Sequence, residues 1–348
     1  MSFSEFLESR RDSARALVAE LKKVFPYASV LGADIKSRSI TAKLDTSSIA
    51  PGMDNECGFV VKVSDGSIFF EYSLDDIGAD AATLCRKITA AFRVNQALRD
   101  TAVGGITLAD EPLEESFCRP ADFDRYSEEQ LLAFCKEQNA ALMERSDKFL
   151  NVVINIGTLE VSKIFVSANR MLDQNYTWVN GMIAGVYRDG EKMVQVMKGA
   201  NAHLISKVLE ELPGKADELL DICAHLVKAK PITPGVYDVI TAPAVSGLIA
   251  HEAFGHGVEM DMFVKDRALA KEYLGKYVAS PIVNMKDGAA SYQSVASYFF
   301  DDDGVLAGDT QIIKDGVLVT GISDLASATI LGTAPTGNGR RESTRNKA

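Results

Sequence analysis

The pattern of apolar and polar positions divides the first part of the chain into a helix, a hairpin and a second helix. From residue 4 to 25, apolar side chains recur at helical spacing, which predicts a helix with Ser4 as its N-terminal cap. Residues 58–72 are instead rich in β-branched and aromatic side chains around Asp65-Gly66. Asp-Gly is a favoured two-residue turn, so this stretch predicts an antiparallel hairpin. Helical spacing returns over residues 76–98.

The middle of the chain predicts an antiparallel meander flanked by helices. Residues 101–122 are rich in acidic residues, glycine and proline, and they are predicted to form a linker. Ser127 can then cap a helix and form a capping box with Gln130. Strand-like stretches that are separated by short turns indicate a meander. We expect strands at residues 149–156, 163–168, 176–187 and 193–197, and helices at residues 203–212 and 216–228.

The last third of the chain predicts a β-rich region around one apolar helix. A strand at residues 235–240 is expected to lead into this helix, with a short helix at 268–274 and a hairpin at 311–320 further on. The aspartates at 301–303, followed by Gly304, predict a tight acidic turn, because the pattern of a calcium loop is not continued beyond them. The final residues show neither helical nor strand periodicity. We therefore expect this domain to be incomplete.

Together these elements predict an α+β protein. We expect an N-terminal α/β region with a mixed or antiparallel sheet and flanking helices. An incomplete β-rich C-terminal domain that carries the apolar helix is expected to follow it. The predicted boundaries give an N-terminal α+β domain at residues 1–118, a central antiparallel sheet with helices at 122–230, and the C-terminal domain at 232–348.

The amino-acid composition indicates which kinds of partner and which cellular compartment the protein is expected to have. The 348-residue chain is 47% hydrophobic and carries a net charge of −11, which argues against nucleic acid or an anionic membrane as its main partner. Its five cysteines are scattered and never have C-x-x-C spacing, so we expect reduced thiols in a reducing compartment. The sequence shows no signal peptide and no run of about 18 apolar residues. A cytoplasmic protein that contacts neither nucleic acid nor membrane is therefore expected.

Candidate chemistry is concentrated at His251-Glu252 and His256. Two neutral imidazoles and an adjacent carboxylate can supply two ligands for a zinc ion and a general base for the attacking water. The five-residue spacing leaves the two rings about 140° apart on a straight α-helix. Both rings can reach one ion only if the helix widens or ends between them. Gly255 and Gly257 mark the place where a π-helical turn or a helix end is expected.

Other polar residues could complete this site, because a catalytic zinc ion usually has three protein ligands. Glu259 could be the third ligand or could accept a hydrogen bond that orients an imidazole, and Asp261 lies close to it in sequence. A solvated helix end is the alternative interpretation for both acids. Arg340 and Arg341 could hold a carboxylate or a peptide backbone, although composition alone favours a solvated tail.

The sequence resembles the TldD/PmbA family, whose members were once called modulators of DNA gyrase. The specific part of the resemblance is the H-E-x-x-x-H motif, with its glycines and the acids that follow it, at residues 251–261. The resemblance implies a zinc metallopeptidase that degrades or trims unfolded peptides. It implies that His251 and His256 bind the metal and that Glu252 is catalytic. Weaker matches extend over nearly the whole chain, at residues 59–67, 234–239, 300–305 and 337–343.

The resemblance also implies a partner and a further ligand. TldD-type proteins typically pair with a PmbA-type subunit that lacks the metal motif. The expected partners are thus a peptide substrate and either such a subunit or a second copy of the chain. The family's third metal ligand is a cysteine near the C-terminus of a longer chain, so the third zinc ligand is expected beyond residue 348. The chain would then be a fragment or a truncated product. A catalytically inactive partner-binding or scaffold subunit with a vestigial metal site is the alternative function.

Overall fold

The computed structural model describes residues 3–97, 110–292, 294 and 297–346. In these residues the largest element is an eight-stranded sheet with the order β4-β3-β1-β6-β7-β5, in which β2 also pairs with β1 and β8 with β7. Its pairings are antiparallel except that of β5 with β7. The strands are β1 Tyr27–Lys43, β2 Thr46–Pro51, β3 Glu56–Ser64, β4 Phe69–Leu74, β5 Leu113–Cys118, β6 Phe149–Ser167, β7 Arg170–Asp189 and β8 Lys192–Ala202. The predicted α+β class with flanking helices is confirmed.

Three helices cover one end of this sheet: α1 Glu5–Glu8, α2 Arg11–Leu21 and α3 Ala81–Ala97. The side chain of Ser4 accepts a hydrogen bond from the N–H of Leu7, as expected of the predicted cap. The single helix predicted at residues 4–25 is divided in two, and α2 ends at Leu21. The predicted end of the second helix, Leu98, lies outside the described residues. The apolar faces of these helices pack on β1 and β3 and form one core.

Two longer helices, α4 Glu128–Glu144 and α5 Ile205–Leu226, cover the other end of the same sheet. The predicted capping box is present, because Ser127 and Gln130 exchange side-chain to backbone hydrogen bonds. The two helices predicted at 203–212 and 216–228 are one helix with Pro213 inside it. Its buried side chains lie on one face and form a second core with β6, β7 and β8.

Several local predictions need correction. The strands predicted at 149–156 and 163–168 are the single strand β6, whose pairing with β1 continues through the residues between them. The hairpin of β3 and β4 is confirmed, but its loop holds four residues, since Ser64 is paired with Phe69. The predicted linker contains β5, which pairs in parallel with β7. Part of that linker, residues 101–109, lies outside the described residues.

The division between the first two predicted domains cuts through a continuous sheet. β1 pairs with β3 on one side and with β6 on the other, so strands from both sides of residue 118 hydrogen-bond to each other. Each half nevertheless has its own apolar core. The predicted boundaries themselves remain a prediction.

The C-terminal region contains the short helices α6 Pro243–Ala250, α7 Met260–Val264 and α8 Leu325–Leu331. A small antiparallel sheet joins β9 Met285–Asp287, β10 Thr310–Lys314 and β11 Val317–Leu318. The predicted hairpin is thus present, with Asp315 and Gly316 at positive φ in a two-residue turn. The helix predicted at 268–274 is a short 3₁₀ helix, Leu269–Tyr273.

The strand predicted at residues 235–240 is wrong for this structure. These residues form neither helix nor strand, and their apolar side chains Val236, Val239 and Ile240 are exposed. A strand requires backbone partners, and no neighbouring strand pairs with this segment within the described residues. In those residues, moreover, we find no helix that is both long and apolar enough to cross a lipid bilayer.

Candidate metal centre

The predicted widening of the motif helix is present in the structure. α6 is followed by a π-helical turn at His251–Gly255 and by a 3₁₀ turn at His256–Val258. The N–H of His256 donates to the carbonyl of His251, which is the hydrogen bond from residue i+5 to residue i of a π-turn. The two imidazole rings consequently lie close together in an edge-to-face arrangement, with their centres 4.5 Å apart and an interplanar angle of 69°. The five-residue spacing is therefore compatible with two ligands for one ion.

Glycine is not needed to form this turn. Gly255 has φ −55°, which is an ordinary right-handed helical value. A Cβ added there would lie 3.7 Å from His251 Nδ1, a normal van der Waals distance. The π-turn therefore does not depend on the special conformational freedom of this residue.

Glu259 orients one of the two imidazoles. Nδ1 of His256 donates to Oε1 of Glu259 over 2.8 Å, which leaves Nε2 of the ring as the nitrogen available to a metal ion. Backbone hydrogen bonds on both sides of Glu259 hold it in place. The N–H of Met260 donates to the carbonyl of Ile322, and the N–H of Ile322 donates to that of Val258. Of the two roles predicted for Glu259, the geometry favours the hydrogen-bond acceptor.

Asp261 and Arg340 line a pocket next to this motif. The pocket has a volume of about 320 Å³, and Glu259, Asp324 and Asn338 contribute to its walls. Asp261 forms a 2.6 Å ion pair with Lys265 at its rim. The guanidinium of Arg340 stacks on the ring of Tyr298, with 4.4 Å between its central carbon and the ring centre. The pocket thus offers both acidic and basic groups, and it shares Glu259 with the histidine motif.

The solvated-tail interpretation is wrong for Arg341. Its side chain is buried, and Nη1 and Nη2 donate to the two carboxylate oxygens of Glu71 over 3.1 and 3.2 Å. Its backbone N–H donates to Asp302 over 2.9 Å. Because Glu71 takes up both terminal nitrogens of its guanidinium, Arg341 fixes the C-terminal segment to β4 and leaves Arg340 as the arginine of the pocket.

A buried group of charges that the sequence analysis missed lies between the C-terminal region and the sheet. Asp301, Asp302 and Asp303 are all buried, so the predicted acidic turn is not a surface feature. Lys62 of β3 binds Asp303, and Lys163 of β6 binds Asp302 over 2.5 Å. A lysine inside each of two apolar strands was the signal that could have indicated buried carboxylate partners.

Two histidines and a glutamate are the groups that the described chain assembles at the motif. Within the described residues there is no cluster of three or more histidine, cysteine, aspartate or glutamate side chains arranged to hold an ion. His251, Glu252 and His256 are all exposed on the surface of the described chain. The two nitrogen ligands fit zinc, which prefers imidazole together with further protein ligands.

The chain matches one protein family model in part and is similar in sequence to several metalloproteases. Residues 234–348 match the family model of the PmbA/TldA metallopeptidase C-terminal domain. The chain is 28% identical over 235 residues to a metalloprotease of Synechocystis sp., a match that covers 66% of this chain and 51% of the relative. It is 31% identical over 172 residues to a zinc metalloprotease TldD homolog of Saccharolobus solfataricus, covering 46% and 36% of the two chains. The chain thus spans about half the length of the curated relatives it matches, or less.

Two solved structures have a similar fold. A modulator of DNA gyrase from Bacteroides thetaiotaomicron superposes with a TM-score of 0.77 at 16% identity, over 94% of this chain and 75% of the other. TldE from Thermococcus kodakarensis gives 0.73 at 14% identity, over 94% and 74%. At these identities the likeness concerns the fold alone.

The fold and the site define a class of protein in which a large antiparallel sheet with flanking helices carries a C-terminal metallopeptidase-type domain. Within that class, the comparisons support the TldD/PmbA family, which the motifs predicted.

Proposed function

We propose that this protein is a zinc-dependent metallopeptidase that degrades or trims unfolded peptides. The observation that carries the proposal is the π-turn, which brings the rings of His251 and His256 to 4.5 Å from each other. The hydrogen bond from His256 to Glu259 supports it, because it leaves the other nitrogen of that ring available for a metal ion. The name of the Saccharolobus solfataricus relative includes zinc, which further supports the choice of ion.

The residues of the motif have distinct proposed roles. His251 and His256 would hold zinc, which supplies a Lewis acid when it is bound. Glu252 follows His251 directly and is exposed, and its proposed role is to accept a proton from the attacking water. The adjacent pocket, lined by Asp261 and Arg340, would accommodate the peptide chain next to the histidines.

The test compares zinc content and peptide hydrolysis in variants of Glu252. Glu252→Gln should lower the hydrolysis of an unfolded peptide by about 100-fold or more, since general-base catalysis typically contributes 10²–10⁴-fold. It should leave the zinc content unchanged, because Glu252 is not a ligand in this proposal. His251→Ala should lose zinc and activity together. Zinc would be measured by plasma mass spectrometry and hydrolysis by release of a fluorophore from a quenched peptide.

Glu137→Gln is the matched control, since Glu137 is an exposed glutamate on α4, far from the motif in sequence. Unchanged hydrolysis in Glu252→Gln would rule out the proposed base. Peptide binding without zinc, insensitive to His251→Ala, would instead support the alternative of a catalytically inactive partner-binding or scaffold subunit.

We also propose that the working form includes a second subunit, either of the PmbA type or another copy of this chain. A TldE structure among the similar folds supports the first of these. The exposed apolar side chains at residues 236–249 offer a surface that such a subunit could cover.

A reducing, cytoplasmic setting is part of the same proposal. All five cysteines are free thiols, and Cys85, Cys135 and Cys223 are buried. Free thiols persist where disulfides do not form. Fractionation of the source cells that places the protein outside the cytoplasm would contradict this assignment.

A further inference from the structure

Within the described residues, a short segment of β7 has β6 on one side and no neighbouring strand on the other. β5 pairs with β7 up to Asn175, and β8 pairs with it from Val179 onward. Residues 176–178 lie between these two pairings. Arg119 directly follows β5 and His203 directly follows β8, so both residues reach this break in the edge.

Arg119 is stacked among aromatic rings at the break. The central carbon of its guanidinium lies 5.1 Å from the ring centre of Trp178, 5.2 Å from that of Phe299 and 5.7 Å from that of Tyr176. Stacking occupies the faces of a guanidinium, whereas its N–H groups point outward in its plane. The rings therefore hold Arg119 in position without using its hydrogen-bond donors.

Two donors at the break have no acceptor among the described residues. Arg119 forms no ion pair in the part of the chain that the structure describes, and its buried Nη1 makes no hydrogen bond there. Trp178 is only 6% exposed, and its buried Nε1 also lacks an acceptor among those residues. Burial lowers the pKa of Arg119, because no carboxylate offsets the loss of water around its charge. A donor that is buried without an acceptor is costly, so these two groups point to a ligand.

Cations that are buried more deeply than the half-buried Arg119 do form ion pairs in the described chain. Lys62, Lys163 and Arg341 each form ion pairs with aspartate or glutamate. An anion is thus the missing partner at the break. Carboxylate and phosphate groups both match the planar pair of N–H groups that a guanidinium presents, and the proposed peptide substrate offers the carboxylate.

We propose that this carboxylate-binding break, formed by Arg119, Tyr176, Trp178, Phe299 and His203, binds a carboxylate group of a peptide. The group is either the C-terminal carboxylate or an acidic side chain. Arg119 donates to its oxygens in the plane of the guanidinium, and Nε1 of Trp178 is a further donor at the break. A peptide as the source rests on the proposed peptidase function, whereas carboxylate binding itself requires neither zinc nor hydrolysis.

The break adjoins the pocket beside the histidine motif. Tyr176 and Trp178 pack in one buried cluster with Tyr298, and Tyr298 carries the stacked guanidinium of Arg340. Arg340 in turn lines the pocket that contains Glu259 and Asp261. Because Tyr176, Trp178 and Tyr298 are buried, they connect the break to the pocket by packing and hold the two arginines in position.

Trp178 makes the proposal directly measurable. It is the one tryptophan of the 348-residue sequence, so intrinsic tryptophan fluorescence reports on this site alone. The full chain would be titrated, with EDTA present to prevent hydrolysis, with an acetylated alanine tripeptide that has a free C-terminus. We expect a saturable fluorescence change with this peptide and none with its C-terminal amide. An acetylated, amidated peptide with a central glutamate separates the side-chain source from the terminal source.

Arg119→Lys is the matching variant, because it retains the charge and loses the planar fork. Its affinity for the carboxylate peptide should be weaker by about tenfold or more, as expected for hydrogen bonds to a charged group. Arg125→Lys, at an exposed arginine nearby in sequence, should bind as the unmodified chain does. Thermal unfolding of each variant verifies that it is folded.

An equal response to the amide peptide, or no response to any of the three peptides, would overturn the proposal. Unchanged affinity in a folded Arg119→Lys variant would do so as well. If Arg119→Lys does not fold, the comparison of free and amidated peptides on the unmodified chain decides alone. Carboxylate binding that persists when Glu252→Gln has no effect on hydrolysis would separate this proposal from the proposed peptidase function.

Discussion

At the scale of single residues, Glu71 is the carboxylate that joins the C-terminal segment to the sheet. It lies 3.1 Å from Nζ of Lys62 on the neighbouring strand and accepts two hydrogen bonds from Arg341. Burial disfavours the charged form of Glu71, but the attraction of Lys62 and Arg341 outweighs it, and the pKa of Glu71 lies below its ordinary value of 4.5. The pKa of Lys62 is correspondingly raised, because Asp303 and Glu71 outweigh the effect of burial. One carboxylate thus neutralises cations from two parts of the chain.

We expect Glu71→Gln to lower the free energy of unfolding by about 3 kcal/mol, because it leaves two buried cations with one partner fewer. Urea unfolding at neutral pH would measure the loss. Glu115→Gln is the control, since Glu115 is exposed on β5, and little change is expected there. A loss as small as that of the control would mean that Glu71 does not stabilise the attachment.

The lowered pKa of Glu71 also predicts how the stability of the Glu71→Gln variant depends on pH. Because the folded-state pKa of Glu71 is lowered, its contribution to stability is fully present above the ordinary carboxyl range. It is lost as the pH falls below 4.5 through the lowered folded-state value. Between pH 6 and about pH 3, Glu71→Gln should therefore lose less stability than the unmodified chain.

At the scale of elements, the packing of α5 on β7 depends on two glycines of the strand. A Cβ on Gly181 would lie 2.5 Å from Cγ1 of Val208 and 3.1 Å from Cδ1 of Leu212. A Cβ on Gly185 would lie 2.9 Å from Leu219. The helix therefore approaches the strand so closely that side chains on α5 fill the space above both glycines.

Gly181→Ala should consequently destabilise the protein by about 1–3 kcal/mol, the usual cost of adding volume to a packed core. Gly214→Ala is the matched control, because a Cβ on Gly214 of α5 would meet nothing within 4 Å. That substitution should be neutral or stabilising by up to about 1 kcal/mol, since alanine favours helix. Differential scanning calorimetry of the two variants would distinguish them, and equal melting temperatures would contradict the close approach.

At the scale of the whole molecule, the C-terminal region is attached to the sheet at one place and exposed at another. The side chain of Gln174 on β7 donates to the carbonyl of Phe300 and accepts from the N–H of Phe299, so this segment lies across the sheet. Residues 236–249, by contrast, expose valine, leucine and isoleucine side chains. An apolar surface of this kind is typical of an interface.

We expect a second subunit to cover this surface. Val239→Asp combined with Leu248→Asp should weaken the association of the chain with itself or with a TldE-type subunit by tenfold or more, while its melting temperature stays constant. Sedimentation velocity over a concentration series would measure the association. Met53→Asp removes an exposed apolar side chain elsewhere and should have no effect. Association that is unaffected by the double substitution would place the interface on another surface.

Local signals explain most of what the sequence could predict. The Ser127 capping box and the meander of β6, β7 and β8 depend on residues close together in the chain, and they were predicted. The π-turn was predicted because five-residue spacing and helix geometry leave few alternatives. Partners distant in sequence could not be predicted, as for Lys62 and Asp303, which are 241 residues apart. The strand predicted at residues 235–240 was wrong for a related reason, since apolar periodicity does not supply a neighbouring strand.

The central position of β1 in the sheet has a consequence for the synthesis of the protein. The strand is made early, yet it pairs along its length with β6, which emerges more than one hundred residues later. At 5–20 residues per second, the interval during translation is on the order of ten seconds. Throughout that time one edge of β1 has no partner and remains open to pairing with other nascent chains. Chaperone binding to the ribosome-bound chain should therefore be strongest before β6 leaves the ribosome and should decline once it has emerged.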